Sequence, residues 1–389
     1  KAFKLIFAED KGEGDISSFA ALATALAATI GTGNIVGVAT AIKTGGPGAL
    51  FWMWIAAFFG MATKYAEGLL AIKFRTLDDQ GNVSGGPMYY ITHGFSGKWQ
   101  IIAKPLAYFF AFAGVLVAWL GIGTFSQVNS ITSSLQNSFG WSPKIVSVIL
   151  ALITAAIIFG GIQSISKVSE KVVPFMAGLY IIAALIVIFA NFNQLLPVLE
   201  MVFQSAFTGK AAVGGFAGAT VMAAMRLGIA RGVFSNESGL GSAPIAAAAA
   251  KTEEPVEQGL ISMTGTFIDT IIICTLTGLA ILVTGQWSGS LEGAPMTQAA
   301  FSSIFGTFGE LALTLSLVLF AFTTVLGWSY YGERCFEFIF KSTKFLSFYR
   351  LIFVAMVALG GYLTLEVVWK IADIVNGLMA LPNLIALLV

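Results

Sequence analysis

From Ser17 to Val389 the chain is a succession of long apolar runs separated by short stretches of Gly, Pro and charged residues, and this pattern restricts it to a helical membrane fold. A helix needs about 20 apolar residues to cross roughly 30 Å of hydrocarbon. In lipid a continuous helix satisfies every backbone group within itself. Charged residues make up 11% of the 389 positions. A soluble chain carries about 25%, so the solvent for most side chains here is lipid or other helices. The net charge of +1 leaves no basic footprint for nucleic acid. Cys274 and Cys335 are isolated and His93 lies in a polar loop, so neither a disulfide framework nor a zinc or haem site is indicated.

The runs give ten expected spans: 17–42, 48–74, 104–137, 144–160, 170–190, 212–235, 257–284, 308–340, 347–364 and 367–389. Pro47, Pro105 and Pro143 fall where each of three spans begins, at positions that tolerate a missing N–H. The chain starts without Met and stops inside an apolar run, so further segments are expected at both ends, including a helix before Lys1. If the segment before the first span is cytoplasmic, the Lys and Arg residues near span ends divide 15 to 4 in favour of the cytoplasmic side. The C-terminal end of the tenth span then also lies on that side. Spans 1–5 and 6–10 start from opposite faces, as an inverted repeat with halves at about 17–190 and 212–389 requires.

The first span is interrupted by Gly31-Thr32-Gly33-Asn34, and Gly228 and Gly232 around Arg226 suggest a matching interruption in the sixth. Paired interruptions in two halves point to the central site of a secondary transporter. Unwinding Thr29–Asn34 would free N–H groups suited to a carboxylate and C=O groups suited to Na⁺. A single glycine pair serves helix packing just as well, but packing has no need of Thr29, Thr32 and Asn34 beside it.

Other polar groups at lipid depth keep two readings each. Thr323 and Thr324 either bond back to the preceding helical turn or ligate an ion. Asp269 is a structural partner of Arg226, an ion-site carboxylate, or a proton carrier. Arg226 caps a broken sixth helix or meets a substrate carboxylate, and Arg231, placed nearer the cytoplasm, snorkels or pairs with a gate acid. Gln127 and Asn129 are interhelical glue, or, for Gln127, a pocket residue beside a Gly-rich stretch. Trp328 is an interface anchor or a wall limiting substrate size.

Residues 45–60, GGPGALFWMWIAAFFG, resemble the signature of the sodium:alanine (alanine/glycine:cation) symporter family. The resemblance continues in AATIGTGNI (27–35), GGPMYY (85–90), RGVFSNESGLGSAP (231–244) and LGWSYYGE (326–333), blocks that span most of the chain. It implies the leucine-transporter fold, an all-α five-plus-five inverted repeat with spans 1 and 6 broken. It also implies Na⁺-coupled uptake of small neutral amino acids, alanine or glycine, across the cell membrane. By position it puts Na⁺ among the carbonyls of Ala27, Ile30 and Phe320 and the hydroxyls of Thr323 and Thr324. The amino acid would be lined by Thr32, Gly33, Asn34, Gln127, Met225, Gly228 and Trp328. No organic cofactor is implied, and the oligomeric state is left open. Gln127 stands where leucine transporters carry a tyrosine, and Arg226 stands among small and apolar residues.

A proton-coupled carrier of the same fold, with Asp269 as the proton site, is the nearest alternative. A channel would require symmetric rings of like residues. A membrane enzyme would require an acid–base or nucleophile constellation that the spans do not carry.

Overall fold

The computed structural model describes residues 1–8, 12–78, 81–208 and 221–389. A short α1 (Ala2–Leu5) precedes α2 (Ser18–Thr29), which Ser17 caps by accepting a hydrogen bond from the Ala20 N–H. The chain then bends by 50° and resumes as a π-helical turn, Gly33–Gly37, that runs into α3 (Val38–Gly45). The expected first span is therefore two half-helices. Next come α4 (Gly48–Lys73), a two-stranded antiparallel ribbon of β1 (Thr76–Leu77) and β2 (Val83–Ser84), and α5 (Pro87–Gly94).

The expected third span is also divided, into α6 (Gln100–Leu120) and α7 (Phe125–Phe139) about Gly121–Thr124. Because α6 begins at Gln100, Pro105 lies inside it rather than at its first position, whereas Pro143 does open α8 (Pro143–Ile158). A 30-residue α9 (Gly161–Ala190) and an amphipathic α10 (Phe192–Thr208), which the hydropathy pattern did not separate, complete the first half.

In the second half α11 (Val221–Asn236) is followed after a gap by α12 (Ala243–Ala248). The start of the expected sixth span, 212–220, lies outside the described residues. Then α13 (Pro255–Thr266), a π-helical segment Phe267–Cys274 and α14 (Thr275–Val283) form one continuous rod. The loop expected at 285–305 contains α15 (Gly293–Phe305), and α16 (Thr307–Phe340), α17 (Leu346–Gly360) and α18 (Leu365–Leu388) finish the fold. Among the described residues seven helices are long and apolar enough to cross a membrane, eight with the bent first pair, against the ten spans expected. The other two expected spans are the 16-residue α8 and α11.

One group of contacts places α4 against α11, α12 and α13, and another places α16 against α2, α6, α7 and α9. Large apolar side chains such as Phe58, Phe59, Leu152, Phe175 and Leu315 point outward and exposed, as a lipid-facing surface requires. The broken α2–α3 pair touches both groups, so its gap lies at the centre of the molecule.

Candidate functional site

The gap in the first span is made by redirected amides. In a continuous helix the Gly31 and Thr32 N–H groups would bond the carbonyls of Ala27 and Ala28. Instead Gly31 N–H donates to Asn34 Oδ1 (2.8 Å) and Thr32 N–H donates to Gln127 Oε1 (3.2 Å). The carbonyls of Ala27 and Ala28 therefore lose their helical partners. Gly31 is required by the approach of its neighbours: a Cβ there would lie 2.5 Å from Thr324 Oγ1 and 3.0 Å from Gln127 Oε1. Gln127 is itself anchored by its Nε2, which donates to Ile122 O (3.0 Å) in the division of the third span.

On the α16 side, Thr324 Oγ1 donates to Phe320 O (3.0 Å) and lies 3.4 Å from Ile30 O, the last carbonyl before the gap. Thr323 Oγ1 donates to Phe320 O (2.9 Å). Both threonines thus bond back within the helix, and Thr324 in addition faces the broken span. Backbone carbonyls and hydroxyls from two helices converge here, a set of hard, neutral oxygens.

Asn34 opens the second half of the pair and ties it to the other repeat. Its Nδ2 donates to Asp269 Oδ1 (2.7 Å) and to the Asp269 carbonyl (3.1 Å). Asp269 also accepts from Ser235 Oγ (2.9 Å) and Thr270 Oγ1 (2.7 Å), and Thr270 Oγ1 accepts from Asn236 Nδ2 (3.0 Å). Asn34 and Asp269 each sit in a π-helical segment, and these two segments pack on each other. Such bulges are frequent at functional sites, because the widened turn re-aims side chains inward. The expected pairing of Asp269 with Arg226 is not found. Arg226 is exposed on α11, and among the described residues no basic group lies within ion-pair distance of Asp269.

The sixth span breaks later than expected. α11 runs unbroken through Gly228 and Gly232, and the interruption is Glu237–Ser242. Gly228 is a packing residue, since a Cβ there would meet Ala49 O at 2.4 Å, and Met225 is only half-buried. Neither lies at the interruption, so the two glycines signal close packing on α4. The true gap contains Glu237, Gly239 and Gly241, all at positive φ (56°, 86° and 79°), a conformation open to glycine and strained for Glu237.

Sequence reasoning missed the groups that hold this second gap. Glu237 accepts from Trp328 Nε1 (2.8 Å) and Ser242 Oγ (2.5 Å). Glu67 of α4 accepts through Oε1 from the N–H groups of Gly239 and Gly241 (3.2 Å each) and from Asn383 Nδ2 (2.7 Å). Trp328 is fully buried and fixes Glu237, so it is not an interface anchor. Lys64, counted as a charge at a span end, is 3% exposed inside the bundle.

Both sides of the site are closed. Arg231 pairs with Asp373 (3.2 Å), and its guanidinium lies 4.6 Å from the ring centre of Trp369, which packs at a tilt against Phe234. Beyond this roof is a cavity of about 600 Å³, lined by Val36, Thr40, Ser130, Asn137, Glu292 and Glu366 among others. Arg231 is thus on the α3 side of the site, opposite to the side expected for it. On the other side the Arg75 guanidinium donates to the carbonyls of Ala248, Ala250, Thr252 and Glu13 (2.8–3.0 Å), clamping the N-terminal segment to the end of α12. Asp15 accepts from the Val83 N–H (3.0 Å) beside this clamp, and burial raises its carboxyl above the usual range.

The profile of the sodium:alanine symporter family matches residues 1–389. The chain belongs to the sodium:alanine symporter family. It is 51% identical over 396 residues to the sodium/alanine symporter AgcS of Methanococcus maripaludis, covering 100% of this chain and 85% of that one. It is 54% identical over 391 residues to an uncharacterized transporter of Haemophilus influenzae (100% and 84% covered). Among solved structures it resembles MhsT in complex with L-phenylalanine, with a TM-score of 0.67 at 14% identity, covering 96% of this chain and 89% of that one. The Eremococcus coleocola manganese transporter gives a TM-score of 0.62 at 14% identity (98% and 82% covered). The fold is that of the leucine transporters, and the protein is a multi-pass secondary amino-acid transporter rather than a member of an enzyme family.

Proposed function

We propose that the protein carries alanine or glycine into the cell together with Na⁺. The observation that carries this reading is the redirection of the Gly31 and Thr32 amides, which strips the Ala27 and Ala28 carbonyls of their helical partners in the same stretch as Ile30 O, the carbonyl that faces Thr324. Na⁺ would be held by the carbonyls of Ala27, Ile30 and Phe320 with the hydroxyls of Thr323 and Thr324, all neutral hard oxygens. The 51% identity to a sodium/alanine symporter supports the same ion and substrate.

The amino acid would sit on the other face of the gap. Its carboxylate would replace Gln127 Oε1 as acceptor for the Thr32 N–H, next to Gly33 and Asn34. Trp328 would limit side-chain size. Met225 and Gly228 drop out of this lining, and Arg226 has no part in it. Na⁺ binding then favours the competent state only through its greater affinity for the shaped gap. Opening of the Arg231–Asp373 roof admits substrate, and release of the Arg75 clamp lets it leave. The excess of Lys and Arg on the side before α2 supports a cytoplasmic placement of that side, in the cell membrane.

A second reading rests on Asp269, a carboxylate held by three neutral donors, which would carry a proton in a proton-coupled carrier of this fold. Binding of alanine, glycine, serine and leucine to the purified protein, with and without Na⁺ at fixed pH, separates the two. The Na⁺ reading expects alanine and glycine to bind only with Na⁺ and leucine to bind weakly in either case. Alanine binding that is indifferent to Na⁺ would transfer the coupling role to Asp269.

A further inference from the structure

Four ionisable side chains lie buried around the two gaps: Glu67, Glu237, Asp269 and Lys64. The three acids are each held by hydrogen bonds to neutral donors. Lys64 differs. It stands one helical turn before Glu67 on α4 and shares a cavity with Asn236, the neighbour of Glu237, yet among the described residues it makes no hydrogen bond or ion pair with an acid.

Lys64 lines a cavity of about 20 Å³, enclosed by Thr29, Asn236, Gln258, Ser262 and Ala247 among others. That volume suits a single water. Gln258 is 1% exposed and its Oε1 has no partner, so one water accepting from Lys64 and donating to Gln258 would satisfy both. A buried cation normally persists only when paired. Here acids are close by, and the fold keeps the ammonium unpaired beside them.

We propose that Lys64 is an internal counter-cation that competes with Na⁺ for the negative field of the central site, and so sets the Na⁺ concentration that transport requires. The proposal rests on the Na⁺-coupled reading above. In the empty protein the lysine offsets the acids. When Na⁺ enters at Ile30, one residue on from the Thr29 that lines the Lys64 cavity, repulsion between the two cations opposes its binding. At an effective dielectric near 20, a unit charge roughly 12 Å away is worth about 1.4 kcal/mol, a tenfold change in affinity.

The test is alanine uptake by proteoliposomes at constant pH across a Na⁺ series, for wild type, Lys64→Met and Lys64→Arg. Lys64→Met keeps the length and apolar stem but not the charge, and should lower the half-maximal Na⁺ concentration about tenfold. Lys64→Arg keeps the charge and should stay near wild type. An active Lys64→Met with unchanged Na⁺ dependence would overturn the proposal. So would failure of both variants to give monodisperse, folded protein, which would assign Lys64 to the fold. Wild-type uptake that ignores Na⁺ would instead remove the coupled reading itself, an outcome read before any variant is compared.

Discussion

The two interruptions at the centre of the molecule are held in opposite ways. The first, at Ile30–Thr32, is bounded by amides and hydroxyls: Asn34, Gln127 and Thr324. The second, at Glu237–Ser242, is bounded by carboxylates: Glu67 gathers two backbone N–H groups and Asn383, and Glu237 gathers Trp328 and Ser242. A neutral frame leaves carbonyls available to a cation without locking it in place. A carboxylate that accepts several N–H groups fixes backbone firmly, because charge-assisted bonds are roughly twice as strong as neutral ones. On the proposed reading the first gap binds and the second holds shape, with Asn34–Asp269 joining them.

The largest expected effect comes from breaking the second gap. Glu67→Ala leaves the Gly239 and Gly241 amides without an acceptor and Asn383 Nδ2 with the Gly239 carbonyl alone, all in a buried interior. Thermal unfolding in detergent should show destabilisation on the order of 3–5 kcal/mol, with uptake lost. A variant as stable as wild type would mean that the second gap does not depend on this carboxylate. An intermediate effect is expected at the first gap. Thr324→Ala removes one oxygen facing Ile30 O, and should raise the Na⁺ concentration for half-maximal uptake roughly five- to tenfold at unchanged stability. Unaltered Na⁺ dependence would take α16 out of the ion site. The smallest effect is expected at Trp328, which holds Glu237 of the second gap and is proposed to wall the substrate. Trp328→Leu should let larger amino acids compete with alanine about fivefold better, the lower end (about 1 kcal/mol) of what a methylene-sized change in a pocket is worth. Unchanged competition would confine Trp328 to holding Glu237.

The first gap was legible because glycine and polar side chains fall together in the middle of an apolar run. The second was misplaced because Gly228 and Gly232 also interrupt a hydropathy pattern, although both face α4 inside an intact helix. Its real signal was the adjacent run Asn236-Glu237-Ser238-Gly239-Leu240-Gly241-Ser242, whose two glycines suit positive φ. Lys64 and Glu67 were harder to place. Long charged side chains near a span end reach water by snorkelling, so hydropathy alone does not separate an end charge from a buried one. Their spacing of three residues puts both on one face of α4, and that face meets α12 and α13. α10 and α15 escaped because short amphipathic helices between spans lack the length of a membrane run.

Alanine uptake into proteoliposomes, with an inward Na⁺ gradient and with Na⁺ replaced by K⁺ at the same pH, tests the central claim most directly. Concentrative uptake that requires the Na⁺ gradient is the predicted result, and equal uptake in K⁺ would contradict the account.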